Sequence, residues 1–205
     1  MERKALKPGQ IIVPGEYEIG NESILKIYFR IFDSGCGEIL PPVTVARADV
    51  IDPAERKARL DRRLARIKSH GYPNILYGER VAIGDYEHIC SLIQTAPYYL
   101  LDGNHRTAAA TLAGHDIDAL ELQNDGDLLE VRRMVDRGEL FDFKRSETSL
   151  YELLMEFECF CMGNENVISG PPNKDMVRTV EQRVEEMVRN GHLPGYMTEV
   201  FLKRK

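Results

Sequence analysis

With 205 residues, 43% of them hydrophobic and 29% charged, the chain is long enough to bury one good core and a small appendage. Its net charge of −6 argues against a general nucleic-acid coat while leaving room for a local basic surface. No apolar run reaches the length of a membrane span, and the opening MERKALKPGQ has no apolar secretory region, so a cytoplasmic protein with no membrane partner is expected.

Residues 10–32 read as β-rich, with a turn at Gly20-Asn21 between IIVPGEYEIG and ILKIYFRIF. Lys26 to Phe32 alternates as a half-buried strand would, placing Ile27, Phe29 and Ile31 on one face. Asp33–Glu38 (DSGCGE) is a glycine-containing loop before a strand at Val43–Ala46, and strand-end loops are where α/β proteins keep their chemistry. Cys36 lies in that loop. Cys159 and Cys161 sit in the apolar LLMEFECFCMG, and the cysteine spacing gives neither a disulfide framework nor a convincing zinc signature.

Pro53 opens a helix that runs to Gly71, with Leu60, Leu64 and Ile67 as its apolar stripe. Arg59, Arg62, Arg63 and Arg66 take up much of the other side, as a contact for nucleic-acid phosphates or as a solvated surface. The absence of an interleaved aromatic favours the second. A further helical segment is expected near Tyr86–Thr95.

Tyr98–Gly114 (YYLLDGNHRTAAATLAG) carries the most information. It reads as a core strand, an Asp-Gly-Asn turn and an alanine-rich helix stopping at Gly114. After Leu122, NDGDLLEVRRMVDRG is a short helix, and Ser146–Met162 is an amphipathic one capped by Ser146 or Thr148. Residues 163–174 form a loop, and Asp175–Asn190 is the final amphipathic helix, with Val177, Val180, Val184, Met187 and Val188 apolar. The C-terminal helices are expected to pack on the core or to form an oligomer contact, with a homodimer as the candidate assembly.

A helix that opens under Asn104-His105-Arg106 presents free backbone N–H groups beside an imidazole and a guanidinium, which suits a phosphate. In that arrangement the N–H groups of Asn104 and His105 cradle oxygens, Gly103 allows close approach, Arg106 supplies a fixed positive fork and Thr107 a hydroxyl donor. His105 bonds a phosphate oxygen or shuttles a proton. Asp102 caps the turn, holds Mg²⁺ or fixes the His105 tautomer.

The same residues carry a resemblance. Asp102, Gly103, His105 and Arg106 match the DG[HN]HR motif of the ParB/sulfiredoxin-like superfamily, in its ParB-like domains and free serine kinases. Leu40–Arg47 (LPPVTVAR) resembles the strand that precedes this motif in the superfamily, and Ile117–Leu122 (IDALEL) the strand that follows the helix. The resemblance spans roughly residues 25–122 and is specific over Tyr98–Gly114. It implies an α/β (α+β) fold with a compact mixed sheet and flanking helices, forming a core over residues 1–145. The family keeps the Val43–Arg47 and Tyr98–Leu101 strands close in sequence, so residues 50–97 read as a helical insertion that departs from its pattern and suits a lid or partner surface, and residues 146–205 as a helical C-terminal extension. Asn104 stands where sulfiredoxins have their catalytic cysteine, which excludes that activity. The Fic motif HPFxDGNGR also fails, because Tyr98-Tyr99-Leu100 replaces its catalytic HPF.

The free serine kinases imply a glutamate from an earlier loop, for which Glu38 is the candidate and Asp33 the next. The leading expectation is therefore a nucleotide-binding enzyme that hydrolyses ATP, ADP or CTP or transfers a phosphoryl group, with Mg²⁺ as candidate cofactor. The alternatives are a DNA-binding ParB-like nuclease or partition protein and a non-catalytic interaction module.

Overall fold

The computed structural model describes residues 1–13, 19–69, 75–141, 143, 146–162 and 177–204. Six strands form one mixed sheet: β1 (Glu2–Leu6), β2 (Ile11–Val13), β3 (Val43–Arg47), β4 (Tyr98–Asp102), β5 (Ile117–Leu122) and β6 (Arg178–Thr179), in the order β1-β5-β3-β4-β2-β6. β5 pairs antiparallel with β1 and parallel with β3, β3 antiparallel with β4, β4 parallel with β2, and β2 antiparallel with β6.

Side chains of a strand alternate between faces, and here both faces are covered, so β4 is apolar from Tyr98 to Leu101. In β4, Tyr98 and Leu100 enter one core while Tyr99 and Leu101 enter the other. The first core is closed by α1 (Glu22–Asp33), α4 (Asn104–Leu112), α7 (Val180–Arg189) and α8 (Gly195–Arg204). The second is closed by α3 (Ile75–Thr95), α5 (Asp125–Asp136) and α6 (Leu150–Met162). The helix α2 (Pro53–Ser69) packs on α3 through Leu60, Ile67 and Ala82. The fold class is the mixed α/β architecture expected, and no helix among the described residues is long and apolar enough to cross a membrane.

The strand expected at Lys26–Phe32 is instead the helix α1. Asn21 Oδ1 accepts the Ser23 and Ile24 N–H groups, both at 3.1 Å, and so starts a helix where a turn was read. Leu25 and Phe29, four apart, are buried, while Ile27 is 56% exposed. Branched and aromatic residues fit a strand or a helix equally well by period over so short a run, and packing on α4 decides between them.

Other boundaries move for local reasons. β1 was not foreseen because it is a polar edge strand whose charges pair across to β5, Arg3 with Asp118 and Lys4 with Glu121. α6 begins at Leu150 because Ser149, not Ser146 or Thr148, accepts the Glu152 N–H at 3.1 Å. The last expected helix starts later, at Val180, where Thr179 and Gln182 form a reciprocal capping box at 3.2 and 3.0 Å. Val177 precedes it, and α8 follows it. β6 extends the sheet, and Val184, Met197 and Phe201 enter the first core, so residues 178–204 are built into the same body. The loop read at 163–174 and part of the first β-rich stretch, residues 14–18, lie outside the described residues.

Candidate anion site at the start of helix α4

The β4–α4 turn closes on Gly103, which has φ of +110° and occupies the N-cap position of α4. A Cβ at this position would overlap the Val43 side chain. The close approach that glycine permits is thus to β3 of the same chain, in a conformation L side chains avoid. Glycine brings no side-chain oxygen to the first-turn N–H groups of α4, unlike the Asn21 cap of α1 or the Asn124 cap of α5.

Arg106 is 5% exposed, and its guanidinium is drawn into the frame of the protein. Nη1 donates to the carbonyls of Pro41 and Pro42 at 2.8 and 2.6 Å, and Nη2 donates to Asp102 Oδ2 at 2.7 Å. It thereby ties the chain entering β3, the end of β4 and the first turn of α4 together. Burial pulls its pKa down, opposed by the Asp102 carboxylate and by Tyr28. Asp102 thus holds Arg106, and among the described residues no group of three His, Cys, Asp or Glu side chains could hold a metal ion.

Half-buried His105 accepts the Asn21 N–H at Nε2 over 3.3 Å, which leaves its ring proton on Nδ1. Burial pushes its pKa down, favouring the neutral imidazole. The contact also fixes how two helices lie. Asn21 and His105 meet at the N-terminal ends of α1 and α4, while Phe32 and His115 meet at the other ends with ring centroids 5.9 Å apart. The helices run parallel, and the positive ends of both dipoles converge at the β4–α4 turn. Half-buried Asn104 occupies the first position of α4 there.

Thr107 does not serve as the expected ligand donor. Its hydroxyl is buried and bonds back to the Gly103 and Asn104 carbonyls at 3.1 and 3.0 Å. Glu38 is exposed, in a short 3₁₀ turn over Gly37–Ile39 that leads into the Pro41-Pro42 segment held by Arg106. Asp33 pairs with Arg204 at 3.0 Å. Cys36 is exposed.

The arginine face of α2 is not a solvated surface throughout. Arg59 is 3% exposed, with Nη2 2.9 Å from Cys159 Sγ and Nη1 3.6 Å from Glu158. Arg63 reaches Asp85 at 3.1 Å and also the Met162 carbonyl. Arg62 pairs with Glu55 at 3.0 Å, and Arg66 is exposed. A nucleic-acid contact built on all four therefore loses Arg59 and Arg63 to the interior.

Sequence reading missed Arg56, which bonds Glu158 Oε1 at 2.7 Å and the Ala48 carbonyl, while Tyr99 donates its hydroxyl to the same Glu158 oxygen at 2.8 Å. Burial raises the Glu158 pKa, and Arg56, Tyr99 and Arg59 oppose the rise. The available signal was Glu158 itself, a carboxylate amid apolar residues of LLMEFECFCM. Asn21 was missed at the candidate site for a related reason: it was read as part of a turn between strands. No protein-family model matches the chain, no curated protein matches it, and no solved structure matches its fold.

Proposed function

We propose that this chain binds a nucleotide through its phosphates at the start of α4, and that it hydrolyses the nucleotide or transfers its phosphoryl group. The observation that carries this reading is the convergence of the parallel α1 and α4 N-termini at a turn whose N-cap is glycine. Backbone N–H groups of Asn104 and His105 are the ligand donors, and two aligned dipoles favour an anion there.

Arg106 acts as the frame that presents those groups, since its fork is directed at Asp102, Pro41 and Pro42. Its charge still adds to the local field. Glu38, exposed on the segment leading to Pro41-Pro42, is the carboxylate assigned in this reading to orient a nucleophile. With Asp102 turned to Arg106, Mg²⁺ would arrive on the phosphates of ATP, ADP or CTP rather than in a dedicated protein cage. The resemblance of the DGNHR turn to ParB-like domains adds to this reading, which carries with it a cytoplasmic location.

Calorimetric titration with ATP, ADP and CTP in the presence of Mg²⁺ tests it, with Asn104→Asp as the control. A carboxylate at the first position of α4 suits the helix dipole but repels phosphate. Saturable binding that the folded variant loses is the expected result. Failure of the folded wild type to bind any of the three overturns the proposal.

A further inference from the structure

Next to the candidate phosphate site lies an aromatic pair that neither the fold nor the phosphate reading requires. Phe141 follows Leu140, a buried residue just after α5, yet is itself 44% exposed. Its ring is parallel to that of Tyr28 on α1, with 4° between the planes and 6.1 Å between centroids. The Arg106 guanidinium carbon lies 5.3 Å from the Phe141 ring centre. Tyr28 and Arg106 thus both meet the Phe141 ring, and the three side chains form one cluster.

Phe141 thus lies across Tyr28 and Arg106 with a large part of its surface in solvent. An exposed phenylalanine costs hydrophobic free energy that a buried position would recover. Here the ring is held in a fixed orientation by a stacked partner and by a cation. Arg106 is the third residue of α4, and its Nη2 is bonded to Asp102 at the end of β4, so the ring is anchored beside the turn where the phosphates would sit.

A flat, oriented, half-exposed ring beside an anion-binding helix start matches the two unlike ends of one ligand, an aromatic base and a phosphate. We infer that Phe141, backed by Tyr28, is the base-stacking platform of the site, and that the preferred ligand is a purine nucleotide. This inference rests on the phosphate reading above. Stacking tolerates any base because every base has a π-face, and the larger purine ring system covers more of the phenyl ring than a pyrimidine does. Affinity for ATP is therefore expected to exceed that for CTP, with Phe141 as the source of the difference.

The test compares ATP, CTP and inorganic triphosphate on the full chain, for wild type, Phe141→Ala and Phe141→Tyr, with thermal unfolding to establish that each variant is folded. Inorganic triphosphate reads the phosphate site without a base. The expected result is that Phe141→Ala weakens ATP roughly ten-fold, as loss of one stacked base implies. It closes the gap between ATP and CTP and leaves triphosphate unchanged, and Phe141→Tyr restores ATP binding. Unchanged ATP affinity in Phe141→Ala, with triphosphate still bound, overturns the platform and leaves the phosphate site standing. Equal weakening of ATP and triphosphate also overturns it, because Phe141 would then act only by holding Arg106. If the wild type binds neither, the phosphate reading fails and the platform with it.

Discussion

At the scale of single residues, the β4–α4 turn is governed by side chains that hold the backbone in place. Gly103 combines a positive φ with a contact that excludes any Cβ, so Gly103→Ala is expected to destabilise the protein by about 2–4 kcal/mol in urea unfolding. Adding Val43→Ala to that variant should remove the overlap but not the backbone strain, giving a cost below the sum of the two single changes. His105 offers a second check. Burial holds its pKa below the ordinary value of about 6.5, so the unfolded chain takes up a proton at higher pH than the folded one. The stability contributed by neutral His105 is complete above the unfolded pKa and is lost as pH falls through the folded one. An NMR titration should place the midpoint below 6.5; a midpoint at or above it would refute the neutral assignment. In His105→Gln, this part of the pH dependence of stability should vanish.

At the scale of elements, the local signals at helix ends decide more than the composition between them. Asn21 caps α1 with its side chain and meets α4 through its N–H. Asn21→Ala should cost about 1 kcal/mol through the lost cap, measured by chemical denaturation. An unchanged stability would mean that α1 is held by packing alone. The start of α2 and the β4–α4 unit were legible in sequence because Pro53, the Asp-Gly-Asn turn and Gly114 mark them, while the Gly71 end read for α2 lies outside the described residues. The identity of α1 was not, because Ile27, Phe29 and Ile31 fit an alternating period while Leu25 and Phe29 fit a helical one. Only contact with α4 separates the two.

At the scale of the whole molecule, the two faces of the sheet are specialised. One bears α1 and α4 and the candidate ligand site; the other covers a buried ionic cluster. There Arg56 and Arg59 converge on Glu158, which is fully buried and also accepts the Tyr99 hydroxyl. The cluster joins α2 and α6 to the central strand β4. Removing one member leaves uncompensated charge in the interior, so Glu158→Ala should destabilise by about 3–5 kcal/mol. Replacing the set together, as Arg56→Met, Arg59→Met and Glu158→Leu, should cost less than the single change, because apolar side chains of similar volume leave no charge to solvate. Equilibrium unfolding of both variants measures the difference, and a triple variant less stable than Glu158→Ala would count against this account of the cluster.

The sequence by itself determined the strand–turn–helix unit at Tyr98–Gly114 and the start of the arginine-rich helix, since each follows from local period and from end signals within a few residues, while the mixed α/β class was what the resemblance of that unit implied. Tertiary structure decided what the charged residues do. Arg106 was legible as a fixed positive fork, but its partners Pro41 and Pro42 lie more than sixty positions upstream. The inward turn of Arg59 depends on Glu158 and Cys159, about a hundred positions away. A guanidinium is equally suited to a ligand, to solvent or to a carbonyl; which of these it meets depends on the packing of elements distant in sequence.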